Sequence, residues 1–210
     1  MVKILQSPIL DFSLSNPNKG MLFDVRDGQS YQVVKIGNQI WTAENFRYLP
    51  SIKEKGDKYE NSWVYENNTD YLDLHYGRLY DWNTANNIAP EGWKLPSDED
   101  FMELKDFIIK DNNLYNSKGK VGSYLKSLDG WISYENIVNN DKYGFNAKPA
   151  GCYGNNRFYN AGYDINFGSA TKYNNSDNVS CWNLYFSHEG FSSHNCYNDN
   201  RLSVRLIKTK

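Results

Sequence analysis

The chain has 210 residues, a formal net charge of −2 and 40% hydrophobic residues. That length suits one domain with a sizeable core, since domains of roughly 100–200 residues are usual. No Lys/Arg cluster forms the basic face a phosphate backbone needs, which sets nucleic acid aside as a partner, and no apolar run approaches the ~18 residues of a spanning helix, which sets membrane insertion aside.

Residues Met1 to about Gly20 are rich in Ser, Asn and Pro and read as an N-terminal arm (1–20) ahead of the domain proper (21–210). The arm is either extended or the end of something upstream. Its short apolar pieces, broken by Pro8, lack the continuous apolar stretch and small-residue cleavage site of a signal peptide. From Phe23 the pattern turns to strands, with turn signals at Asp27-Gly28 and Gly37-Asn38 between runs rich in Val, Ile and Tyr. Tyr31, Val33, Ile36 and Ile40 are expected to face inward, with Trp41 closing the end. Residues 48–73 are polar, carry the charge-rich KEKGDKYEN, and read as a surface excursion docked by Trp63, Val64 and Tyr65.

The stretch from Tyr76 to Ile108 reads as the packing hub. Tyr76, Tyr80 and Trp82 lead through Pro90 and the tight EGWKLP segment into a helix with a clear start. Ser97 is placed to N-cap it, Asp98, Glu99 and Asp100 complement the positive dipole end, and Asp100 sits three residues past the cap. Phe101, Leu104, Phe107 and Ile108 share one apolar face, with Trp93 and Leu95 expected beneath the helix start. Val121 to Leu128 reads as a short helix with Val121, Tyr124, Leu125 and Leu128 on one face. GFNAKPAG (Gly144 to Gly151) reads as a Gly-bounded turn anchored by Phe145. In CWNLYF, alternation places Trp182, Leu184 and Phe186 inward and Asn183 and Tyr185 outward. Leu202 to Lys208 is the closing strand.

The chain has three cysteines, Cys152, Cys181 and Cys196, too few for a disulfide scaffold and with no CxxC spacing. Cys181 and Cys196 flank a hairpin whose turn falls near His188, Glu189 and Gly190. A cross-hairpin bridge in an oxidising compartment and two free thiols both fit that placement.

DGQSYQVVKIGNQIWTAENF, YGRLYDWNTA, APEGWKLPSDEDFMEL, GFNAKPAG, CWNLYF and LSVRLIK occur in the order and type of the Fibrobacter succinogenes major paralogous domain, which the chain resembles from Phe23 to Lys208. The resemblance implies an α+β, loop-rich single domain of the C-type-lectin-like or sulfatase-modifying-factor kind shared with formylglycine-generating enzymes, with small antiparallel sheets and two or three helices. It also implies a bacterial module of the cell surface or extracellular space, in lineages such as the Bacteroidetes. The chain departs from the family in reading FGSAT (Phe167 to Thr171) where a Trp-Ser-Ser segment is usual, and in lacking the expected export signal.

Chemical constellations are thin. A copper-dependent oxidase related to formylglycine-generating enzymes would need two thiolates close together near the C-terminus, whereas Cys181 and Cys196 lie apart in a Cys-poor region; this reading ranks last. His188, His194 and Cys196 match no standard zinc spacing, His75 is expected to be packed or hydrogen-bonded in the hub, and no GxSxG motif occurs. No metal site and no catalytic residue is therefore expected. Calcium stays open as a cofactor because Asn174 to Asn178 and Asn198 to Asn200 offer hard oxygen ligands, although turn formation explains the same residues.

The segment from Thr171 to Arg201 concentrates Tyr, Asn, Ser and His, the composition of binding loops in which aromatics give rigid contact area. The same composition serves a loop-rich fold that binds nothing. Read as a site, it makes Tyr173, Asn183, Tyr185, His188, Phe191, His194 and Tyr197 outward-facing ligand contacts. The expected function is non-catalytic recognition or adhesion, with a glycan or cell-surface protein as ligand. A structural role at the tip or fibre end of an extracellular or phage-like machine is the alternative, and it carries an oligomer or larger assembly with it.

Overall fold

The computed structural model describes residues 7–49, 62–73, 75–173 and 177–210. Four strands open the chain: β1 (Ile9–Ser13), β2 (Asn16–Asp24), β3 (Gln29–Ile36) and β4 (Gln39–Thr42). The stretch read as an arm is thus largely a β-hairpin, with Ile9 opposite Phe23 and Phe12 opposite Gly20. Pairing with β2 gives β1 its conformation despite a Ser/Asn/Pro-rich surrounding, an instance of tertiary context overriding strand propensity. Gly28 and Gly37 have φ of +74° and +60° at the two turns signalled by sequence, a conformation that costs glycine little.

Next come β5 (Ser62–Trp63), a 3₁₀ turn at Tyr65–Asn67, α1 (Asp70–Asp73), β6 (Leu79–Tyr80), α2 (Trp82–Asn87), β7 (Trp93–Lys94) and α3 (Asp98–Asp111). Most of the charge-rich part of the expected excursion, residues 50–61, lies outside the described residues. His75 is exposed, with Nδ1 3.3 Å from Glu44 Oε2. The start of α3 forms as its sequence directs. Asp100 N donates to Ser97 Oγ at 3.3 Å and Ser97 N donates to Asp100 Oδ2 at 2.8 Å, a reciprocal capping box.

Beyond α3, Lys118–Tyr124 is a 3₁₀ turn rather than an α-helix, and Leu128 is 74% exposed instead of completing an apolar face. The chain closes with β8 (Cys152–Gly154), β9 (Arg157–Tyr159), β10 (Asp164–Lys172), β11 (Val179–Tyr185), β12 (Ser192–Cys196), β13 (Leu202–Ser203) and β14 (Ile207–Lys208).

The described residues thus form mostly β structure with few helices and long loops. One six-stranded sheet has the order β1-β2-β3-β4-β14-β7, a second has β12-β11-β10-β13-β6-β5, and β8-β9 is a separate ribbon. The sheets are larger than the small antiparallel ones expected, and β10 pairs with β13 in parallel. Among the described residues no helix is long and apolar enough to cross a membrane.

The first sheet is covered on both faces, which is why Val33 and Val34 are both buried. Val34, Ile36 and Trp41 join a core with Phe101, Leu104 and Ile108 of α3 and with Phe145, Phe167, Trp182 and Phe191. Leu22, Tyr31 and Val33 join a second core with Tyr80, Val204 and Leu206, with Ile40 packed against it. Trp93 and Leu95 belong to this second core rather than to the one beneath α3. The aromatics of the first core meet edge and face, Phe101 lying 5.3 Å from both Trp41 and Trp182 between ring centroids. The first turn of α3 ties to the second sheet where Trp182 Nε1 donates to Asp98 Oδ1 at 2.9 Å.

Candidate functional site

β11 and β12 form the expected hairpin, with Cys181 opposite His194 and Val179 opposite Cys196. The cysteines are therefore offset rather than face to face. Their Cα atoms lie 6.0 Å apart and they are joined in a disulfide, within the separation such a bond requires. Cys152 is free, and burial pushes its thiol up to about 12, so it is no ready nucleophile.

The residues expected as ligand contacts scatter. Phe191 is 1% exposed and packs in the core, its ring 4.9 Å from Trp182 and 5.9 Å from Phe101. It is a core residue and not a contact, because the return of the chain after the turn aims this ring back over α3. Asn183 is half-buried and its amide is engaged, donating to Ile165 O at 3.2 Å and Asn166 Oδ1 at 3.1 Å. Tyr173 is half-buried at the β10–β11 turn, where its N–H donates to Asn178 O at 3.0 Å. Tyr197 lies beyond β12 and is 66% exposed.

His194 stands over the disulfide, with Nε2 3.3 Å from Cys181 Sγ and 3.6 Å from Cys196 Sγ. Burial holds its imidazole below the ordinary range. Among the described residues these three form a cluster of metal-ligand type, with their ligand atoms all within 4.8 Å of one another. His188, drawn into such a site from sequence, is not part of it. In the disulfide both sulfurs are bonded to each other, so the cluster presents no thiolate. Of the Asn-rich segments weighed for calcium, residues 174–176 lie outside the described residues, and Asn200 N–H closes a turn on Tyr197 O at 3.0 Å.

Tyr185 and His188 do converge, at the turn end of the hairpin. Phe186 was expected inward with Trp182 and Leu184 but is half-buried and forms the centre of a surface aromatic cluster. Its ring centroid lies 5.2 Å from Tyr134, 5.2 Å from Tyr163 and 4.9 Å from Tyr185, each edge-on. Tyr134 and Tyr163 are exposed. His188 lies 5.6 Å from Tyr185 and its Nδ1 accepts from Gly190 N at 3.1 Å. Burial first, then the nearby Lys126 charge, keeps His188 below its ordinary value.

The cluster rests on a buried cation. Lys126 is fully buried and donates to Tyr185 O at 2.6 Å and His188 O at 2.7 Å. Burial pushes its amine down to about 8, with Glu189 opposing that shift. Glu189 in turn accepts from Ser123 Oγ at 2.7 Å, and its carbonyl accepts from Gly122 N at 2.6 Å. A Cβ on Gly122 would stand 2.8 Å from that carbonyl, so only glycine lets the turn seat this closely. Tyr134 and Tyr163 escape a sequence reading because they come from irregular segments with no periodicity to place them, and Lys126 because its charge and its place off the apolar face of the expected 121–128 helix mark it for solvent.

Chemically, the arrangement presents aromatic edges and hydroxyls on a pinned turn. It brings together neither a nucleophile–base pair nor a set of thiolates.

The sequence model of the Fibrobacter succinogenes major domain family matches residues 34–208. Neither the curated proteins nor the solved structures contain a significant match. With β4 to β14 and all the helices inside the matched span, the chain belongs to the Fibrobacter succinogenes major domain family.

Proposed function

We propose that this domain is a non-catalytic recognition module, with a C-type-lectin-like arrangement of its loops, that binds a glycan through the aromatic cluster at the end of the β11–β12 hairpin. The observation that carries this reading is the grouping of Tyr134, Tyr163, Tyr185 and His188 around Phe186 on a turn pinned from below by Lys126. Rigid aromatic side chains supply contact area at low entropic cost, and their hydroxyls and the imidazole supply direction. The Cys181–Cys196 disulfide supports placement in an oxidising compartment, at the cell surface or outside the cell.

The test is a glycan and polysaccharide array, run with calcium and with chelator. A selective hit that Tyr163→Ala and Tyr185→Ala each abolish, with unchanged melting temperature, is the expected outcome. A blank array in both buffers would overturn glycan recognition. Chelator sensitivity would add calcium to the site.

An assembly role is the second reading. β1 is an edge strand of the first sheet, where unpaired backbone favours strand addition, and Ile9 on it and Met21 and Phe23 on the adjoining β2 are exposed beside that edge. A stable oligomer in solution that is lost on Phe23→Lys would favour it.

A further inference from the structure

The β11–β12 register brings three side chains of metal-ligand type to one face of the hairpin. His194 lies directly opposite Cys181, and Cys196, two residues further along β12, lies opposite Val179, so alternation keeps all three on the same side. His194 Nε2 stands 3.3 Å from Cys181 Sγ and 3.6 Å from Cys196 Sγ. A tetrahedral zinc ion, with Zn–S of about 2.3 Å and Zn–N of about 2.0–2.1 Å, sets each sulfur about 3.5 Å from the nitrogen. Two edges of such a site therefore already have their length. The third, sulfur to sulfur, has to open to about 3.8 Å. Two thiolates on Cα atoms 6.0 Å apart reach that separation by side-chain rotation once the bond between them is broken.

The same three residues thus offer two alternative crosslinks of one hairpin. We infer that Cys181, Cys196 and His194 hold a zinc ion when the disulfide is reduced. A dithiol reductant delivers two electrons and two protons to the S–S bond, giving two thiols and its own disulfide. Zn²⁺ then binds as both thiols release their protons to water. Two thiolates and an imidazole suit zinc and discriminate against the hard ions calcium and magnesium, and three protein ligands leave the fourth position to water. A reducing compartment favours the metal form and an oxidising one the disulfide, so a chain passing from one to the other exchanges its crosslink and keeps its hairpin. The site shares no residue with the aromatic cluster, so zinc binding and glycan binding can fail separately.

The experiment is anaerobic titration of the full chain with Zn²⁺ and with Co²⁺, with and without prior reduction by a water-soluble phosphine. The reduced chain should take Zn²⁺ from a chromophoric chelator, one ion per chain, and with Co²⁺ should show a sulfur-to-cobalt charge-transfer band. The oxidised chain should do neither. Zn²⁺ should raise the melting temperature of the reduced chain, and Mg²⁺ should not. Cys181→Ser/Cys196→Ser should abolish uptake, and His194→Gln should weaken Zn²⁺ at least tenfold. The oxidised His194→Gln chain retains its disulfide, and an unaltered circular dichroism spectrum separates lost affinity from lost fold. Absence of the cobalt–sulfur band in the reduced chain, equal uptake by the oxidised chain, or affinity indifferent to His194→Gln would each overturn the inference.

Discussion

The Lys126 ammonium reaches the Tyr185 carbonyl at 2.6 Å from a fully buried position, so the backbone that presents the hairpin cluster is held by a charge drawn out of water. Two opposing terms meet here. Lowering the amine from its ordinary 10.5 to about 8 corresponds to about 3 kcal/mol at neutral pH. Two carbonyls left without donors would cost roughly 1–3 kcal/mol each.

Lys126→Met should therefore lower global stability only modestly, by about 1–2 kcal/mol, while loosening the 185–190 turn. Denaturant midpoints read the first effect and amide exchange at Gly190 reads the second. The pH dependence has a defined sign. Between pH 8 and 10.5 the unfolded chain holds more protons at this group than the folded one, so wild-type stability gains from this residue as pH rises through that window. The variant should lack that gain; identical pH profiles would count against the pin.

Asp164 carries the opposite linkage. Its carboxyl is buried, receives Asn160 Nδ2–H at 3.0 Å on Oδ2 and leaves Oδ1 without a partner. Burial pushes it up to about 6 from an ordinary 3.8, so its contribution is full below about pH 4 and is lost as pH rises through 6. Asp164→Asn should stabilise the protein at pH 7 by up to about 3 kcal/mol and change little at pH 4. Melting temperatures of both proteins at the two pH values check this, and a destabilised variant at pH 7 would refute it.

The Cys181–Cys196 bond closes a loop with a sequence separation of 15. A loop of that size stabilises by about 3 kcal/mol in the chain-entropy model. The doubly substituted Cys181→Ser/Cys196→Ser chain should melt about 6–12 °C lower, and a reducing agent should shift the wild type equally while leaving the variant unmoved. Calorimetry with and without dithiothreitol makes the comparison.

Arg205 is the buried tie between the sheets and the Phe145 turn. Its guanidinium donates to Asn45 Oδ1 at 2.8 Å, Thr42 O at 2.8 Å, Phe145 O at 2.6 Å and Asn146 O at 2.9 Å. Arg205→Met should cost about 3–5 kcal/mol by leaving these acceptors unmatched. Arg205→Lys should recover little, since one ammonium cannot span that fork. Urea unfolding midpoints rank the three proteins.

Where structure depends on neighbours along the chain, the sequence determined it. The cap of α3 follows from Ser97 and Asp100, its buried face from Phe101, Leu104 and Ile108, and the early hairpin turns from Gly28 and Gly37. These are local hydrogen bonds, local periodicity and local φ, all written within a few residues. The family was also legible, in short phrases spread along the matched span.

Only the tertiary structure decided what faces what. Phe191 and Phe186 sit on either side of one turn, yet one joins Trp182 and Phe101 in the core and the other gathers Tyr134 and Tyr163 on the surface. Alternation cannot assign sides where a strand is covered on both faces or where the chain leaves the sheet. The same holds for Lys126, whose charge marks it for solvent until two carbonyls from a segment about sixty residues away accept its hydrogen bonds. An aromatic cleft unites Trp63 and Arg78 with the Tyr153–Phe158 ribbon, and no spacing in the chain encodes that meeting, because long-range packing rather than local preference creates it.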